Sequence, residues 1–272
     1  MKSALVTGCA GFIASHLTEK LLLNNWNIIG LDNFHPYYDK QLKLKNLEKF
    51  KDHKNFKFVQ GSILDTDILK TFSNLNTVFH LAAIAGVRNS FETPDEYFKI
   101  NIKGTQNILK TFQNVDELIF ASSSSVYGEV KPNEFPVKEN HLLNPISPYG
   151  ESKKQSELLC QDYSEKLKIK TSILRFYTVY GPRQRPDEAI MKFITSAILG
   201  KSIPIFGDGR KIRDYTYVSD IVDGIISSQK FGNGIYNLGS GKPISLNDMV
   251  DIIEKKLDKK IKRQYVDSPK GD

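Results

Sequence analysis

Short apolar runs alternate with amphipathic stretches along the first two thirds of the chain. The apolar runs are SALVT at the start, followed by WNIIGLD, NFKFVQGSI, TVFHLAA and ELIFASS. Helical patterns lie between them, directly after the first run and over residues 38–50, 64–73 and 95–113. Strands that are almost continuously apolar and alternate with helices are typical of a parallel sheet covered on both faces. The pattern therefore predicts an α/β fold built on a doubly wound parallel sheet of the Rossmann type.

The pattern changes after KTSILRFYTVYGP, which is predicted as a sixth strand and follows the predicted helix SPYGESKKQSELLCQDYSEKLK. Beyond this point the segments become shorter, and turns such as GDGRK and GNG separate them. Helical patterns cover residues 188–199 and 219–229, and the last clear elements are GIYNLGSG and the helix SLNDMVDIIEKKL. We therefore predict a sheet domain over residues 1–180 and a smaller C-terminal lobe over residues 181–272.

The charged residues favour a small anionic ligand over a nucleic acid. The chain of 272 residues has a net charge of +7, but its lysines are scattered and no basic–aromatic platform accompanies them, so a nucleic-acid partner is disfavoured. Five arginines fall within one short span: Arg175, Arg183, Arg185, Arg210 and Arg213. Arginine is the better bidentate partner for phosphate and carboxylate. The cluster indicates either a small anionic ligand or a chance grouping at the surface.

Membrane, secreted and zinc-binding proteins are disfavoured by what the chain lacks. No stretch has the apolar length of a membrane span, and MKSALVTGCAGF runs directly into a strand rather than forming a signal peptide. Cys9 and Cys160 are too few for a disulfide framework, and no cysteine–histidine set has zinc-ligand spacing. We therefore expect a cytoplasmic protein with no membrane partner and no metal.

A glycine-rich loop, GCAGFIA, joins the first predicted strand to the first helix. Gly8 permits a tight turn, and Gly11 lets the backbone approach a pyrophosphate at the helix N-terminus. Ala14 stands at the third glycine position of the usual pattern and is small enough for close packing. Asp32 ends the second strand, where a carboxylate binds a ribose 2′-hydroxyl, and no arginine follows nearby to bind a 2′-phosphate. The combination predicts NAD as the cofactor, rather than NADP.

Tyr149 and Lys153 are four residues apart in a predicted helix and therefore share one face. A phenol is a poor base at neutral pH because its reference pKa is about 10. A neighbouring ammonium and a positively charged nicotinamide favour the phenolate, so we expect a lowered pKa for Tyr149. Tyr149 would then take a proton from a sugar hydroxyl while NAD accepts the hydride. Tyr-x-x-x-Lys alone is common on helix surfaces, and the glycine loop gives it this meaning.

Four hydroxyls, Ser122 to Ser125, follow the apolar run LIFA. An exposed turn more commonly uses Gly, Asn or Pro, and buried hydroxyls need hydrogen-bond partners. Ligands of open parallel sheets bind outside the carboxyl ends of the strands. We therefore expect the serines to face the cofactor crevice. One would bind the hydroxyl that is oxidised, and others would bind the nicotinamide or the substrate.

Seven segments together resemble the extended short-chain dehydrogenase/reductases, and among them the nucleotide-sugar 4-epimerases. They are TGCAGFIASHL, FHLAAIAGVRNS, NIKGT, ASSSSVYG, SPYGESK, TVYGPRQRPD and GDGRKIRDYTYVSDI. The resemblance extends along the whole chain and is closest to the UDP-glucuronate 4-epimerases. It implies an NAD-binding Rossmann domain over residues 1–180 and a nucleotide-sugar lobe over residues 181–272. Chains of this family continue beyond SPKGD, the last five residues here, so the lobe is expected to be shorter than in the family.

The resemblance also implies roles for individual residues. Tyr149 would be the base, Lys153 its partner and a ligand of the cofactor ribose, and Ser123 the group that binds the reacting hydroxyl. Besides Gly8, Gly11, Tyr149 and Lys153, the NAD would be lined by Phe12, Ile13, Asp32, Asn33, Ile63, Leu81, Ala82, Ala83, Asn101, Ala121 and Tyr177. The substrate would be bound by Arg88, Ser123, Ser124, Ser125, Thr178, Arg185 and Arg213. Among these, Arg185 would pair with the sugar carboxylate and Arg213 with the diphosphate.

Three positions distinguish relatives within this resemblance, and a fourth, Ser62, departs from the pattern of the whole family. The dehydratases place Asp-Glu at the positions of Ser124 and Ser125, and the decarboxylases place Glu at that of Ser125. Thr178 replaces the Asn usual before VYGP in the glucose epimerases and is typical of glucuronate-type enzymes. Ser62 replaces the Asp that usually reaches the adenine. The resemblance therefore implies epimerisation rather than elimination or decarboxylation.

We predict NAD-dependent 4-epimerisation of a UDP-hexuronate, from UDP-glucuronate to UDP-galacturonate, through a 4-keto intermediate. Two alternatives stay open. One is a UDP-glucose 4-epimerase, because some of those enzymes share GPRQRPD, and the other is a non-catalytic protein that binds NAD or a nucleotide-sugar. The expected partners are the UDP-sugar and, on resemblance alone, a second copy of the chain. The helices near residues 95–113 and 150–168 would form that homodimer.

Overall fold

Strands and helices alternate along the chain, and the computed structural model describes residues 2–267. The SPKGD segment, and with it the expectation about where the lobe ends, lies outside the described residues. The strands are β1 (Ser3–Thr7), β2 (Asn27–Asp32), β3 (Phe56–Gln60), β4 (Thr77–His80), β5 (Glu117–Ser123), β6 (Lys170–Phe176), β7 (Thr178–Tyr180), β8 (Ile203–Phe206), β9 (Ile212–Tyr217), β10 (Gly234–Leu238), β11 (Pro243–Ser245) and β12 (Arg263–Val266). The helices are α1 (Phe12–Leu23), α2 (Lys40–Leu47), α3 (Thr66–Lys70), α4 (Pro94–Tyr97), α5 (Gly104–Thr111), α6 (Pro148–Leu167), α7 (Ala189–Ile198), α8 (Val218–Phe231) and α9 (Leu246–Leu257). A π-helical segment, Phe98–Lys103, joins α4 to α5.

The large sheet is parallel throughout, with the strand order β10-β6-β5-β4-β1-β2-β3. Thr7 at the end of β1 lies opposite Leu31 of β2 and His80 of β4, so these strands end at one level. The winding direction reverses between β1 and β4, which opens a crevice at their carboxyl ends. The predicted α/β, doubly wound parallel sheet is confirmed.

Helices cover both faces of this sheet, which explains why its strands are apolar on both sides. One core lies between the sheet and helices α1 and α8, and it includes Leu17, Leu21, Phe79, Ile119, Leu174, Ile221 and Ile225. The other core lies against α5 and α6, and it includes Leu5, Ile108, Leu118, Phe120, Cys160 and Ile173. The carboxyl edge of the sheet is thereby held between two packed layers.

The predicted sixth strand divides in two. Strand β6 runs between β5 and β10 and ends at Phe176, where the Tyr177 amide donates a hydrogen bond of 3.1 Å to the Leu238 carbonyl. The chain then leaves the large sheet, and β7 pairs with β9 in a small sheet of order β11-β9-β7. The division places the segment after β6 across the end of the crevice.

The chain also returns to the large sheet after residue 180. Helix α8 packs against α1, and β10 covers the edge of β6, so residues 218–238 complete the sheet domain. The reason is physical, because without them β6 would be an open edge and the Leu174 face would lose Ile221 and Ile225. The smaller lobe consists of the remaining elements beyond residue 180.

The smaller lobe has a core of its own. Helices α7 and α9 pack with β8, which pairs with β12 in a two-stranded sheet. The buried side chains include Phe193, Ile203, Ile205, Met249, Val250 and Ile253. Over residues 2–267, the helices are all too short or too polar to cross a membrane.

Candidate active site

A cavity of about 400 Å³ opens at the carboxyl ends of the large sheet. Loops after β1 to β5, helix α6 and the segments after β6 contribute to its wall. It brings together all of the predicted site residues except Asn101 and Arg88. The predicted cofactor residues in the wall are Gly8, Gly11, Phe12, Ile13, Asp32, Asn33, Ile63, Leu81, Ala82, Ala83, Ala121, Tyr149, Lys153 and Tyr177. The predicted substrate residues in the wall are Ser123, Ser124, Ser125, Thr178, Arg185 and Arg213.

The glycine loop after β1 presents backbone, rather than side chains, to the cavity. Gly8 has a φ of +74°, and a Cβ at this position would lie 3.0 Å from the Cα of Ala82. A Cβ on Gly11 would lie 3.0 Å from the Gly8 carbonyl oxygen, which accepts a 2.8 Å hydrogen bond from the Gly11 amide. A side chain at either position would press against backbone, and at Gly8 the positive φ adds strain. Helix α1 begins at the next residue, so the loop leads to the amide groups of its first turn.

Asp32 fixes this loop from the neighbouring strand. Its Oδ2 accepts a 3.1 Å hydrogen bond from the Ala10 amide, and its Oδ1 accepts one of 2.8 Å from the Phe34 amide. Burial raises the pKa of Asp32, and the Phe34 hydrogen bond and the charge of Lys43 offset only part of this. Asn46 donates a further 2.9 Å hydrogen bond to the Ala10 carbonyl. A buried acceptor at the end of β2 is suited to a ribose hydroxyl, which is a donor.

A buried polar group below the loops holds β1 against β4. Thr7 Oγ1 accepts hydrogen bonds from the amides of Leu81 (3.1 Å) and Ala82 (3.0 Å) and lies 2.8 Å from His80 Nδ1. Since this oxygen already accepts two hydrogen bonds, its own proton goes to Nδ1. The ring proton is therefore on Nε2, which lies 3.0 Å from Thr105 Oγ1. Burial lowers the pKa of His80 to about 3, so the ring is neutral and acts as a structural clamp.

The serine run divides into two environments. All four serines line the cavity, and the Ser122 hydroxyl donates a hydrogen bond to the buried Glu157. Ser123 Oγ donates to Ser125 Oγ at 3.1 Å and accepts from the Ser125 amide at 3.2 Å. The run is thus a strand end at the cavity wall, in which the Ser122 hydroxyl is already bonded to α6.

Tyr149 and Lys153 lie on one face of α6, and Tyr149 is hydrogen-bonded to Ser123. Lys153 Nζ donates a 2.8 Å hydrogen bond to the Ala121 carbonyl, and burial lowers the pKa of Lys153 to about 8. Burial also raises the pKa of Tyr149, and the Ser123 hydrogen bond and the charge of Arg185 offset only part of this. The expected lowering of the Tyr149 pKa is therefore not produced by the protein's own groups, because desolvation of the phenolate outweighs them.

The five clustered arginines have different surroundings. Arg175 is 1% exposed and forms a buried ion pair with α6, while Arg183 is bound to α1. Arg210 is largely exposed on the turn before β9. Arg185 and Arg213 line the cavity. The anionic-ligand interpretation therefore applies to two of the five, and the contact that the sequence could not reveal is the buried pair at Arg175.

Arg185 is already paired with carboxylates. Its Nε and Nη2 each donate to Asp187 at 3.1 Å, and Nη2 also donates to Glu188 Oε1 at 2.6 Å. The guanidinium lies 5.2 Å from the centroid of the Tyr37 ring, whose hydroxyl donates to Asp187 Oδ2 at 3.3 Å. Burial lowers the pKa of Arg185, but the Glu188 and Asp187 carboxylates raise it further, so the guanidinium stays charged. Glu188 itself lines the cavity.

Two predicted site residues lie outside the cavity wall. Asn101 is 2% exposed, and its amide bonds the backbone of Ile84 in both directions (2.9 and 3.0 Å) and Ser152 Oγ (2.9 Å). It therefore buttresses the loop after β4 against α6. Arg88 is exposed, with its guanidinium 4.3 Å from the centroid of the Phe206 ring. This contact ties the same loop to the smaller lobe.

The sequence did not reveal several residues of the wall. Tyr37, Tyr38, Lys43 and Glu188 contribute to it, and no motif marked them. These four depend on the path of the loops after β2 and β7, which periodicity does not specify. His80 lies outside the wall, and its polar side chain inside the apolar run TVFHLAA was a usable signal, because a buried polar side chain needs partners.

The residues present fit a dinucleotide. The glycine loop brings backbone without side chains to the cavity wall at the start of α1, and Asp32 offers a buried carboxylate one strand away. The same cavity continues to the hydroxyl groups of Ser123 and Tyr149. A pyrophosphate, a ribose and a nicotinamide therefore each find suitable groups along one continuous wall.

Comparisons with known proteins agree with this geometry. The family model described as GDP-mannose 4,6 dehydratase matches residues 5–270. The chain is 43% identical over 276 residues to the UDP-glucuronate 4-epimerase of Thermodesulfobacterium geofontis, which covers 98% of this chain and 84% of that protein.

Two solved structures are also similar. One is the UDP-glucuronic acid 4-epimerase of Bacillus cereus in complex with UDP-glucuronic acid and NAD, with a TM-score of 0.95, 37% identity, and coverage of 99% of this chain and 88% of that one. The other is the UDP-glucose 4-epimerase of Thermotoga maritima with UDP-glucose, with a TM-score of 0.91, 32% identity, and coverage of 99% and 87%. Both similarities extend over nearly the whole of this chain.

Proposed function

The chain belongs to the family that the GDP-mannose 4,6 dehydratase model describes, within the extended short-chain dehydrogenase/reductases, and we propose that it is an NAD-dependent UDP-glucuronate 4-epimerase. The proposed reaction interconverts UDP-glucuronate and UDP-galacturonate through a 4-keto sugar. The observation that carries the proposal is one cavity wall that holds Tyr149, Lys153, Ser123 and Arg185 together.

The proposed cofactor is NAD, which supplies a reversible hydride acceptor at the sugar C4 when it is bound. The amides of the glycine loop and the first turn of α1 would hold its pyrophosphate, and Asp32 would accept from a ribose hydroxyl. Lys153 would donate to the second ribose. Its pKa of about 8 keeps this side chain mainly charged at neutral pH.

The proposed proton chemistry belongs to Tyr149. Ser123 would hold the sugar 4-hydroxyl by a hydrogen bond, and the Tyr149 oxygen would take its proton. Because burial raises the pKa of Tyr149, the phenolate needs positive charge nearby, which Arg185 provides in part and a bound nicotinamide would supplement. The keto sugar would rotate to present its other face and accept the hydride there. Tyr149 would then return the proton to the same oxygen, so the base is regenerated.

The two anionic groups of the proposed substrate would each bind a different arginine. Arg213 would bind the diphosphate, and Arg185 would bind the sugar carboxylate with help from Thr178 and the serines at the strand end. Ser124 and Ser125 stand where the dehydratases and decarboxylases of the family carry acids. Their hydroxyls cannot assist elimination or loss of the carboxylate as a carboxyl group would, which supports epimerisation as the outcome.

A second candidate is a UDP-glucose 4-epimerase. It is favoured by one observation, which is that Asp187 and Glu188 already neutralise Arg185. A neutral hydroxymethyl group would not need a free cation at this place. The similarity to the Thermotoga maritima structure supports this candidate as well.

The experiment that tests the proposal is a substrate panel. The purified chain is incubated with NAD and either UDP-glucuronate or UDP-glucose, and the sugar nucleotides are separated by chromatography. UDP-galacturonate from the first substrate, at a rate at least tenfold above any UDP-galactose from the second, is the expected result. UDP-galactose as the main product would favour the second candidate. No product from either, with NAD bound, would favour the non-catalytic alternative.

We also propose that the protein is a cytoplasmic homodimer. Cys9 and Cys160 are free and buried, which supports a reducing compartment. The resemblance assigns α6 to the dimer interface, and Leu158, in the middle of that helix, is 54% exposed. Light scattering after size exclusion tests the dimer, and Leu158→Glu is expected to give a monomer where Leu23→Glu, on α1 at the opposite face of the sheet, does not.

A further inference from the structure

We infer that Glu188 is a specificity-determining residue, whose carboxylate competes with the carboxylate of a UDP-hexuronate for Arg185. The inference rests on the proposed function and concerns the sugar end of the same cavity. It starts from an apparent conflict, since the arginine proposed to bind the substrate carboxylate is already bound to two carboxylates of the protein. The two do not hold it in the same way.

The guanidinium has two edges that can bind a carboxylate with two parallel hydrogen bonds, the Nε–Nη2 edge and the Nη1–Nη2 edge. Asp187 occupies the first edge with both of its oxygens, each at 3.1 Å. Glu188 reaches Nη2 with a single oxygen at 2.6 Å. An incoming carboxylate can therefore replace Glu188 and leave the Asp187 edge intact.

The surroundings of the two carboxylates support this division. Asp187 also accepts a hydrogen bond from the Tyr37 hydroxyl, which in turn accepts one from Asn89 at 3.0 Å. Asp187 is thus part of a network that orients the arginine. Glu188 precedes α7 and makes no capping hydrogen bond there with its side chain, so its release from Arg185 leaves the start of the helix unchanged.

Glu188 also lies within the field of the other charges at the substrate end. The charges that act on it are those of Arg185, Asp187, Lys192 and Arg213. Its own charge and that of Arg185 both act on the Tyr149 phenol. Glu188 is therefore close to both arginines proposed to bind the two anionic groups of the substrate, and a bound hexuronate must either displace it or share the cavity with it.

The consequence is a lower preference for hexuronates than Arg185 alone would give. A hexuronate loses part of its gain because it must break the Glu188 contact, whereas a neutral hexose has no such contact to break. Removal of the Glu188 charge should therefore favour UDP-glucuronate selectively. Weakening of Asp187 should do the opposite, because the arginine loses its orientation.

The test measures the dissociation constants of UDP-glucuronate and UDP-glucose by calorimetry, with NAD present, for the unaltered chain and for Glu188→Gln. We expect the ratio of the two constants to shift about tenfold toward UDP-glucuronate, the size of a partly buried, charge-assisted hydrogen bond. The ratio, rather than either constant, cancels any common effect of Glu188 on the diphosphate through Arg213. Glu188→Met provides an uncharged variant of similar length if the glutamine still bonds the arginine.

Asp187→Asn and Glu19→Gln complete the design. Asp187→Asn is expected to shift the ratio toward UDP-glucose. Glu19→Gln removes a carboxylate of α1 that pairs with Arg183. Both residues lie outside the cavity wall, so this variant is expected to leave the ratio unchanged. A ratio within twofold of the unaltered chain for both Glu188 variants would overturn the inference while leaving the proposed function intact if UDP-glucuronate is still epimerised. Binding of neither UDP-sugar by the unaltered chain would overturn both.

Discussion

The buried ion pair between Glu157 and Arg175 gives the sharpest prediction about stability. Arg175 donates to both oxygens of Glu157, with contacts of 3.0 and 2.7 Å, and the side chains are 1% and 2% exposed. Ser122 donates to Glu157, and Arg175 donates to the Tyr127 hydroxyl at 2.8 Å. Tyr127 in turn donates to Asn237 at 2.6 Å. The network therefore connects α6 to β5, β6 and β10 directly below the serine run.

The loss of stability that each substitution causes depends on which buried charge it leaves without a partner. Glu157→Gln leaves the guanidinium buried without its counter-ion, and Arg175→Met leaves a buried carboxylate, so each single change should cost about 3–5 kcal/mol. The double variant leaves neither charge, and replacement of a whole buried pair is often close to neutral. We therefore expect the double variant to be at least about 2 kcal/mol more stable than the sum of the single costs predicts.

Urea unfolding at pH 7, followed by circular dichroism, measures these costs as shifts of the midpoint at constant slope. Lys166→Gln provides a matched control, because it breaks an exposed ion pair with Asp162 on the same helix and should change stability by less than about 1 kcal/mol. Single-variant costs below about 1 kcal/mol, or a double variant whose cost equals the sum, would refute the reasoning that desolvation dominates this pair.

Three further predictions concern the cavity and the clamp below it. Gly8→Ala should weaken NAD binding at least tenfold in calorimetry. An alanine is strained at a φ of +74°, and its Cβ would lie 3.0 Å from the Ala82 Cα, so the loop has to deform. Unchanged affinity would contradict the assignment of this loop to the pyrophosphate. Tyr149→Phe should lower kcat by about 10²–10⁴ while the UDP-glucuronate dissociation constant stays within about threefold, whereas full activity would remove Tyr149 as the base. His80 is neutral when folded and has a pKa of about 3, while the unfolded chain protonates it below about pH 6.5. Because only the unfolded chain gains this proton, His80 should lower the free energy of unfolding by about 2 kcal/mol between pH 7 and pH 5. The same pH series with His80→Gln should show a correspondingly smaller fall.

The sheet and most of the cavity wall could be predicted from the sequence because their signals are local. Strand β5 spans the predicted residues 117–123, and α6 begins at Pro148 after the Ser147 cap, whose hydroxyl accepts from the Gly150 amide. A strand followed by a glycine turn and a helix places the loop at the carboxyl edge of a parallel sheet. Residues just after strands are then brought together without further information.

Contacts between distant segments could not be predicted in this way. Asn101 belongs to the motif NIKGT and was predicted to line the NAD. Both ends of its amide are instead bound to Ile84 and Ser152, which lie 17 and 51 residues away in the sequence. The five clustered arginines had the composition of an anion site, but one of them, Arg175, is buried and forms an ion pair with Glu157 of α6. Likewise, β10 returns to the sheet after residue 180 because it covers an edge, and edge coverage is a property of the assembled sheet.

The central claim is that the chain inverts C4 of a UDP-hexuronate by removing and returning the same hydride. The most direct measurement is to incubate the chain and catalytic NAD with UDP-glucuronate that carries deuterium at C4, and to examine the product by mass spectrometry and NMR. We predict UDP-galacturonate that keeps the deuterium at C4, with no net formation of NADH. Product with hydrogen at C4, loss of the carboxylate, or an unchanged substrate in the presence of bound NAD would contradict the claim.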